Sequence, residues 1–324
     1  MKRLWRYSGW TLVELLIAMT LSLMLIAGIG QIYLSSKRSY DIQISLAQIQ
    51  DTGRYVINVL SSDIHQAGYW GLMNMDAPPA INNDATPDGC PTGAGSGDWG
   101  RMITGRLFGL NESAAGYDCI HDKLAQSGDV LVVRYADPIP ITTNRDLPPS
   151  SGAFGQYDPS RLYIRTAPLQ GSIVRGNPVG DAHNLVTSPV FSDHAIVAHA
   201  YYVSRSYSMD CGGKTIKPPE LARKSLDSNG LPRKESLVSG VERLQFQYGV
   251  DNDGNGSVDR YLNADQVADW SRARAVRFWV LARAICPEGG YSDTNTYKMG
   301  DSPPYTPKDG FRRALYTSTV ALRN

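Results

Sequence analysis

Residues 9–34 read GWTLVELLIAMTLSLMLIAGIGQIYL, a run that is apolar almost throughout. As a helix, the stretch from Trp10 to Leu34 would extend roughly 37 Å, more than the hydrocarbon core of a bilayer, which is about 30 Å thick. Three of the first six residues are basic, and such a flank stays in the cytoplasm. The sequence therefore predicts one membrane-spanning helix, with everything after Leu34 on the far side of the membrane.

An acidic residue, Glu14, interrupts the apolar run, and a small residue, Gly9, stands before it. A carboxylate inside a membrane helix costs about 2.5 to 3.5 kcal/mol, so it needs a partner or must be neutral. An ordinary secretory signal carries its small-residue cleavage site after the apolar core, not before it. The alternative is a plain signal anchor with a chance acid, which the basic leader and the spacing of Gly9 and Glu14 disfavour.

The segment GWTLVE at 9–14 resembles the class III signal of type IV prepilins and pseudopilins. The resemblance implies that a prepilin peptidase cleaves between Gly9 and Trp10, that the new amine of Trp10 is methylated, and that Glu14 acts in assembly. Members of this family usually have Phe where this chain has Trp10. The amine created by cleavage can pair with Glu14 of the same or a neighbouring subunit inside hydrocarbon, and such a pair would set the register of assembly.

Apolar residues continue beyond the membrane segment at spacings of three, four or seven, which predicts an amphipathic extension of the same helix. This stripe consists of Ile42, Leu46, Ile49, Val56, Leu60 and Ile64. The predicted division of the chain is a leader over 1–9, a transmembrane and assembly half of the helix over 10–34, an amphipathic half over 35–67, and a β-rich periplasmic globular domain over 68–324.

The globular part predicts strands rich in Val, Ile, Tyr and Phe, separated by turn residues. The predicted strands are 130–135, 162–165, 195–204, 241–250, 273–284 and 314–322. Residues 68–127, rich in Gly, Asn, Asp and Pro, predict a long irregular connection. A helix followed by such strands indicates an α+β fold, and the prepilin resemblance implies a type IV pilin-like form, with a long N-terminal helix packed on an antiparallel β-sheet with long loops.

Three C-terminal segments make the resemblance to prepilins and pseudopilins more specific. The order VERLQFQYGVD (241–251), RAVRFWVLAR (274–283) and VALRN (320–324) resembles the minor pilins of the PilW family and the related J-type minor pseudopilins of type II secretion. Chain length favours the PilW family. The resemblance implies a minor pilin that joins other minor pilins and the major pilin and helps to initiate type IV pilus assembly from the inner membrane. A J-type pseudopilin and a tip-exposed binding or adhesion subunit are the alternatives.

Four cysteines, Cys90, Cys119, Cys211 and Cys286, are far apart and form no CxxC pair, which disfavours a zinc site. If the N-terminal segment exports the rest of the chain, an oxidising compartment favours two disulfides. Sequence order suggests Cys90 with Cys119 and Cys211 with Cys286, although four cysteines allow three connectivities.

Residues 251–259 read DNDGNGSVD and reproduce the front of an EF-hand-type Ca²⁺ loop, with Gly256 at position 6. The candidate ligands are Asp251, Asp253, Asn255, Ser257 and Asp259. Position 12 is Leu262 and not the bidentate Glu, so the site would be incomplete and weak, although Asp265 could substitute if the chain turned back. Calcium is the one cofactor that the sequence suggests. A hairpin turn between two strands is the alternative.

Other functions have little support in the sequence. With 32 Lys+Arg against 31 Asp+Glu, the net charge of +1 gives no field that would attract nucleic acid. The five histidines are scattered, and no nucleophile stands at a recognisable spacing from a base. The sequence predicts neither an enzyme nor a nucleic-acid partner.

Overall fold

The computed structural model describes residues 9, 11–73, 79–81, 105–113, 117, 120–124, 127–143, 157–176, 190–227 and 230–322. The chain divides into two compact units between Gln48 and Ile49. A long α-helix, α1 (Leu12–Gln66), begins in the first unit and ends in the second, and the second unit contains every strand among the described residues.

The described part of the first unit consists of α1 up to Gln48, preceded by Gly9 and Thr11. Every large apolar side chain from Leu12 to Leu34 is more than half exposed. By its length and composition, α1 can cross a membrane. Exposed apolar side chains on all faces are stable in lipid or against other apolar helices, not in water.

The first eleven strands of the second unit are β1 (Ala80–Ile81), β2 (Leu107–Leu110), β3 (Val130–Ala136), β4 (Thr142–Thr143), β5 (Leu162–Ala167), β6 (Gln170–Arg175), β7 (Ser192–Arg205), β8 (Met209–Asp210), β9 (Thr215–Ile216), β10 (Pro219–Leu226) and β11 (Pro232–Ser239). All of these except β8 and β9 form one large sheet. The long strand β7 is its centre and pairs antiparallel with β3, β4, β5 and β10. The β8 and β9 strands form a separate hairpin.

The remaining strands are β12 (Val241–Val250), β13 (Arg260–Leu262), β14 (Ala273–Arg283), β15 (Tyr297–Met299), β16 (Ser302–Tyr305) and β17 (Arg313–Ala321). A second, antiparallel sheet has the order β13-β12-β14-β17. Two short 3-10 turns, Ala264–Gln266 and Trp270–Arg272, connect β13 to β14, and β15 pairs with β16 in a hairpin.

The largest apolar core in the second unit combines the last turns of α1 with both sheets. Its α1 members Val56, Leu60 and Ile64 are fully buried together with Leu244 and Phe246 of β12. Burying one such side chain stabilises the fold by about 1.5 to 3 kcal/mol. The predicted stripe is therefore a packing face from residue 49 onward.

The predicted α+β fold, with a long N-terminal helix and antiparallel sheets, is confirmed. All six predicted strands are present, as β3, β5, β7, β12, β14 and β17. The predicted irregular connection over 68–127 includes the short strands β1 and β2, and β6, β10 and β11 were not predicted. The functional division of the helix at residues 34 and 67 stays a prediction.

Candidate functional site

The N-terminus of α1 contains the residues that the sequence singles out for processing and assembly. Gly9 is exposed, and Trp10 lies outside the described residues. Thr11 precedes the helix, and its hydroxyl accepts a hydrogen bond from the Glu14 N–H at 3.3 Å. Thr followed three residues later by Glu is a capping-box signature, and an acid in the first turn interacts favourably with the helix dipole. Glu14 therefore stands where it can also stabilise the start of α1.

A buried polar cluster at the other end of α1 was not found from the sequence. Asp63 is 8% exposed. Its carboxylate accepts hydrogen bonds from the Tyr135 hydroxyl at 2.9 Å and the Tyr201 hydroxyl at 2.5 Å, and it forms an ion pair with Nδ1 of His199. The three partners come from β3 and β7, so Asp63 connects α1 to the middle of the large sheet.

Two opposing effects set the charge state of Asp63. Burial raises the pKa of its carboxyl, but His199, Tyr201 and Tyr135 outweigh burial, so the pKa lies below its usual value. Asp63 is therefore ionised in the folded protein at neutral pH, and its charge is compensated inside the core.

The acidic hairpin between β12 and β13 brings three of the predicted calcium ligands together. One carboxylate oxygen from each of Asp251, Asp253 and Asp259 lies within 4.8 Å of the others. Asp251 is buried, whereas Asp253 and Asp259 are exposed. Oxygens at such separations can surround one divalent cation after small side-chain rotations. Leu262 belongs to β13 and pairs with Tyr248 of β12.

The same hairpin also has the hydrogen bonds of a self-contained turn. Asp251 accepts from the N–H groups of Gly254 at 2.7 Å and Gly256 at 2.9 Å, and Asn255 accepts from the Ser257 N–H at 2.7 Å. Burial raises the pKa of Asp251, but these amides and the Arg274 guanidinium at 3.3 Å lower it to a net value below normal. The geometry therefore accommodates both predicted alternatives, the cation loop and the hairpin turn.

Among the predicted acidic ligands, Asp265 is not part of this cluster. Its carboxylate instead accepts a hydrogen bond from the Asn111 side chain at 3.0 Å, and this asparagine also donates to Asp301 at 2.8 Å. Substitution of Asp265 for the missing twelfth ligand therefore has no support in the geometry.

One disulfide lies within the described residues. It joins Cys211 to Cys286, with Cα atoms 5.5 Å apart, and is one of the two pairs that sequence order suggests. Cys90 and Cys119 lie outside the described residues. The bond connects the β8–β9 hairpin to the segment after β14, and the two cysteines are 75 residues apart in sequence. Closing a loop of this length stabilises a fold by about 2 to 4 kcal/mol.

Comparison with known proteins gives one match. Residues 200–324 match the family model PilW, described as Type IV Pilus-assembly protein W. The similarity to this family covers the last 125 of the 324 residues. No curated protein and no solved structure matched the chain.

The PilW segment contains the whole second sheet, the acidic hairpin and the Cys211–Cys286 disulfide. The match confirms the predicted resemblance at this end of the chain, and the family that it names implies a role in type IV pilus assembly. It does not favour the alternative of a J-type pseudopilin. A pilus-assembly family is consistent with the prediction of a non-enzymatic protein and implies other pilus components and a membrane setting.

The PilW segment is joined to the preceding β-structure at a tight crossing. Gly128, with φ of +102°, pairs with Leu244 of β12 in an isolated parallel bridge. The next residue, Asp129, is buried, and its carboxylate accepts from the N–H groups of Glu112 at 2.9 Å and Phe246 at 2.8 Å. Burial raises the pKa of Asp129 to about 7 despite these donors. The Asp129 carboxyl therefore changes from protonated to ionised near neutral pH.

Proposed function

We propose that this PilW-family chain is a minor pilin that helps to initiate assembly of a type IV pilus, within a tip or priming complex of minor pilins. The supporting observation is the change in burial along α1. The helix is apolar on all faces and exposed from Leu12 to Leu34, whereas its stripe is buried from Ile49 onward. One half of the helix belongs to the protein's own fold, and the other half has the surface of an assembly stem.

The physical reason for a priming role lies in the cost of moving this stem out of the membrane. An apolar helix leaves the bilayer unfavourably unless other apolar surfaces cover it. Minor pilins that associate first through their stems would provide that cover for the first copies of the major pilin. The proposed partners are therefore other minor pilins, the major pilin and the inner membrane, with the second unit in the periplasm and later in the pilus.

Processing at the N-terminus is part of the proposal. A prepilin peptidase would cleave between Gly9 and Trp10, and the new amine of Trp10 would be methylated. The positive amine would then pair with Glu14 of its own or a neighbouring stem, because two opposite charges in hydrocarbon attract strongly. N-terminal sequencing and mass spectrometry of the mature protein would report cleavage and methylation together.

Glu14→Ala and Glu14→Gln are both expected to reduce incorporation of the protein into pili by about tenfold or more, equivalent to about 1.4 kcal/mol. Glutamine keeps the shape and hydrogen-bonding capacity of the side chain but removes the charge needed for pairing. The measurement is immunodetection of the protein in sheared pili, relative to its amount in membranes.

Thr11→Ala is the matched control, because it removes the cap of α1 at a cost of about 1 kcal/mol but retains the acid. Its incorporation should stay close to that of the unaltered protein. Normal incorporation of both Glu14 variants would contradict the charge-pairing role.

Deleting the gene should also lower the number of surface pili. Normal piliation with failed secretion of exoproteins would instead indicate a pseudopilin, and normal piliation with lost adhesion would indicate an adhesive subunit.

The acidic hairpin supports a second proposal, that it binds Ca²⁺ weakly. The supporting observation is that one oxygen from each of three carboxylates lies within 4.8 Å of the other two. Asn255 and the backbone carbonyl of Ser257 would complete the oxygen ligands. A bound cation would replace part of the hydrogen bonding within the turn and neutralise the charge of the cluster.

Calorimetric titration of the full-length protein in non-ionic detergent should show Ca²⁺ binding that Asp253→Ala abolishes. Asp210→Ala is the matched control, because Asp210 likewise accepts a backbone hydrogen bond in a hairpin, from Gly213 at 3.0 Å, but lies outside the cluster. Asp210→Ala should leave the binding unchanged. Absence of Ca²⁺ heat with the unaltered protein would leave the hairpin turn as the whole explanation of the motif.

A further inference from the structure

A cleft of about 320 Å³ lies in the second unit and is lined by residues from both sheets. Its charged and aromatic lining residues are Arg205, Lys217, Glu242, Arg243, Arg283 and Tyr305. Four cations and one carboxylate therefore surround this space. A cavity of this volume is large enough for a small ligand.

The one carboxylate of the lining, Glu242, has cationic partners both outside the lining and within it. Glu242 accepts from Arg313 at 2.5 and 3.1 Å and from the Tyr305 hydroxyl at 3.1 Å. The side chain of Arg313 is completely buried and is not part of the lining, and it also pairs with Asp309 at 2.6 Å and with Asp293 at 3.3 Å. Glu242 is also 3.7 Å from Nη1 of Arg283, so it offsets one of the four lining cations and leaves the lining with an excess of three positive charges.

The four cations retain donor capacity toward the cleft. Arg205 and Lys217 are exposed and have no carboxylate partner among the residues that the structure describes. Arg243 stacks on the Tyr305 ring at 3.9 Å, and Arg283 stacks on the Phe311 ring at 4.0 Å. Stacking holds a guanidinium by its face and leaves its N–H edges available to a ligand.

Arg283 has a buried donor that no described residue satisfies. Its Nε is buried without a hydrogen-bond partner in the described part of the chain. The nearest carboxylate, Glu242, is 3.7 Å from Nη1 of Arg283, beyond hydrogen-bonding distance. A buried donor without a partner costs about 1 to 3 kcal/mol, and an acceptor that reached this nitrogen would recover part of this energy.

The Cys211–Cys286 disulfide crosslinks two segments that each contain a lining cation. Cys211 lies in the β8–β9 hairpin, just before Lys217, and Cys286 lies just after Arg283 at the end of β14. The covalent bond therefore ties the segment of one cation to the segment of another. Such preorganisation lowers the entropy cost of ligand binding.

We propose that this cleft binds a phosphate group, with Arg205, Lys217, Arg243 and Arg283 as its cationic ligands. A phosphate dianion offers more charge and more acceptor oxygens than a single carboxylate, and guanidinium groups bind it with paired N–H donors. Four lining cations against a single acid match such a dianion better than a monovalent anion. The source would be free phosphate or a terminal phosphate monoester.

The test is calorimetric titration of the full-length protein in non-ionic detergent with inorganic phosphate and, separately, with glycerol 3-phosphate. Binding should weaken as salt increases, because exposed charges are screened. Lys217→Gln and Arg243→Gln should each weaken it about tenfold. Lys298→Gln is the matched control, because Lys298 is an exposed cation outside the lining, and it should leave binding unchanged.

Tighter binding of glycerol 3-phosphate would support a phosphate monoester as the source, and equal or tighter binding of inorganic phosphate would support the free ion. Reduction of the disulfide should weaken the binding of either probe, and unchanged affinity would overturn its preorganising role. The proposal is overturned if neither probe binds, if succinate binds as tightly as phosphate, or if Lys217→Gln and Lys298→Gln have equal effects. Lys217 is exposed, so its substitution should leave the fold intact. A change in affinity in this variant would therefore report on phosphate binding and not on unfolding.

Discussion

Replacing Asp63 with alanine should lower the free energy of unfolding by about 3 to 5 kcal/mol, the usual cost of breaking a buried ion pair by removing one partner. The change leaves the hydroxyls of Tyr135 and Tyr201 and the ring of His199 without their common acceptor. It also removes the buried hydrogen-bonded contact that connects α1 to the large sheet. Thermal or denaturant unfolding of the full-length protein in detergent, followed by tyrosine fluorescence, would measure the loss.

Asp51→Ala is the matched control, because Asp51 lies on the same helix but is exposed. Its effect should stay within about 0.5 kcal/mol.

Because the pKa of Asp63 is lower in the folded than in the unfolded state, the contribution of Asp63 to stability should be complete above about pH 4 and disappear at lower pH. The difference between the Asp63→Ala and unaltered proteins should therefore shrink in acid. Equal effects of the Asp51 and Asp63 substitutions would refute the role given to the buried cluster.

Local periodicity explains why most of the fold could be predicted from the sequence. The α1 stripe repeats every three or four residues, and Leu244, Phe246 and Tyr248 of β12 repeat every two residues. Both periods can be recognised within a short stretch of sequence. In contrast, β10 and β11 have few apolar residues, and their pairing includes a cross-strand ion pair between Arg223 and Glu235 at 2.6 Å. Charged strands of this kind have no distinctive signal until the partner strand is known.

The sites divide in the same way. Three carboxylates of the acidic hairpin are close in space because they are close in sequence, so the motif could be found directly. Asp63 and its partner Tyr201 are 138 residues apart, and Arg205 and Arg283 of the cleft belong to different sheets. Only the tertiary fold brings such residues together, and a lone Asp beside an apolar stripe gives no sequence signal that it is buried.

Gly128→Ala should lower the free energy of unfolding by about 3 kcal/mol or more, because the bridge to Leu244 leaves no room for a side chain. A Cβ at Gly128 would lie 1.6 Å from the Leu244 carbonyl oxygen, so the two segments would have to separate. Separation would break the bonds from the Asp129 N–H to the Leu244 carbonyl and from the Leu244 N–H to the Ser127 carbonyl, both 2.9 Å long. The same denaturation measurement would report the change.

The positive φ of Gly128 contributes to this cost, so a control must separate backbone strain from the clash. Gly213 has φ of +88°, and a Cβ there would meet nothing within 4 Å. Gly213→Ala should therefore cost only about 1 to 2 kcal/mol, the cost of a left-handed conformation. The excess loss in Gly128→Ala measures the steric cost of opening the bridge where β12, the first strand of the second sheet, meets the chain that leads into β3. Equal losses for the two variants would show that this crossing can open without energetic consequence.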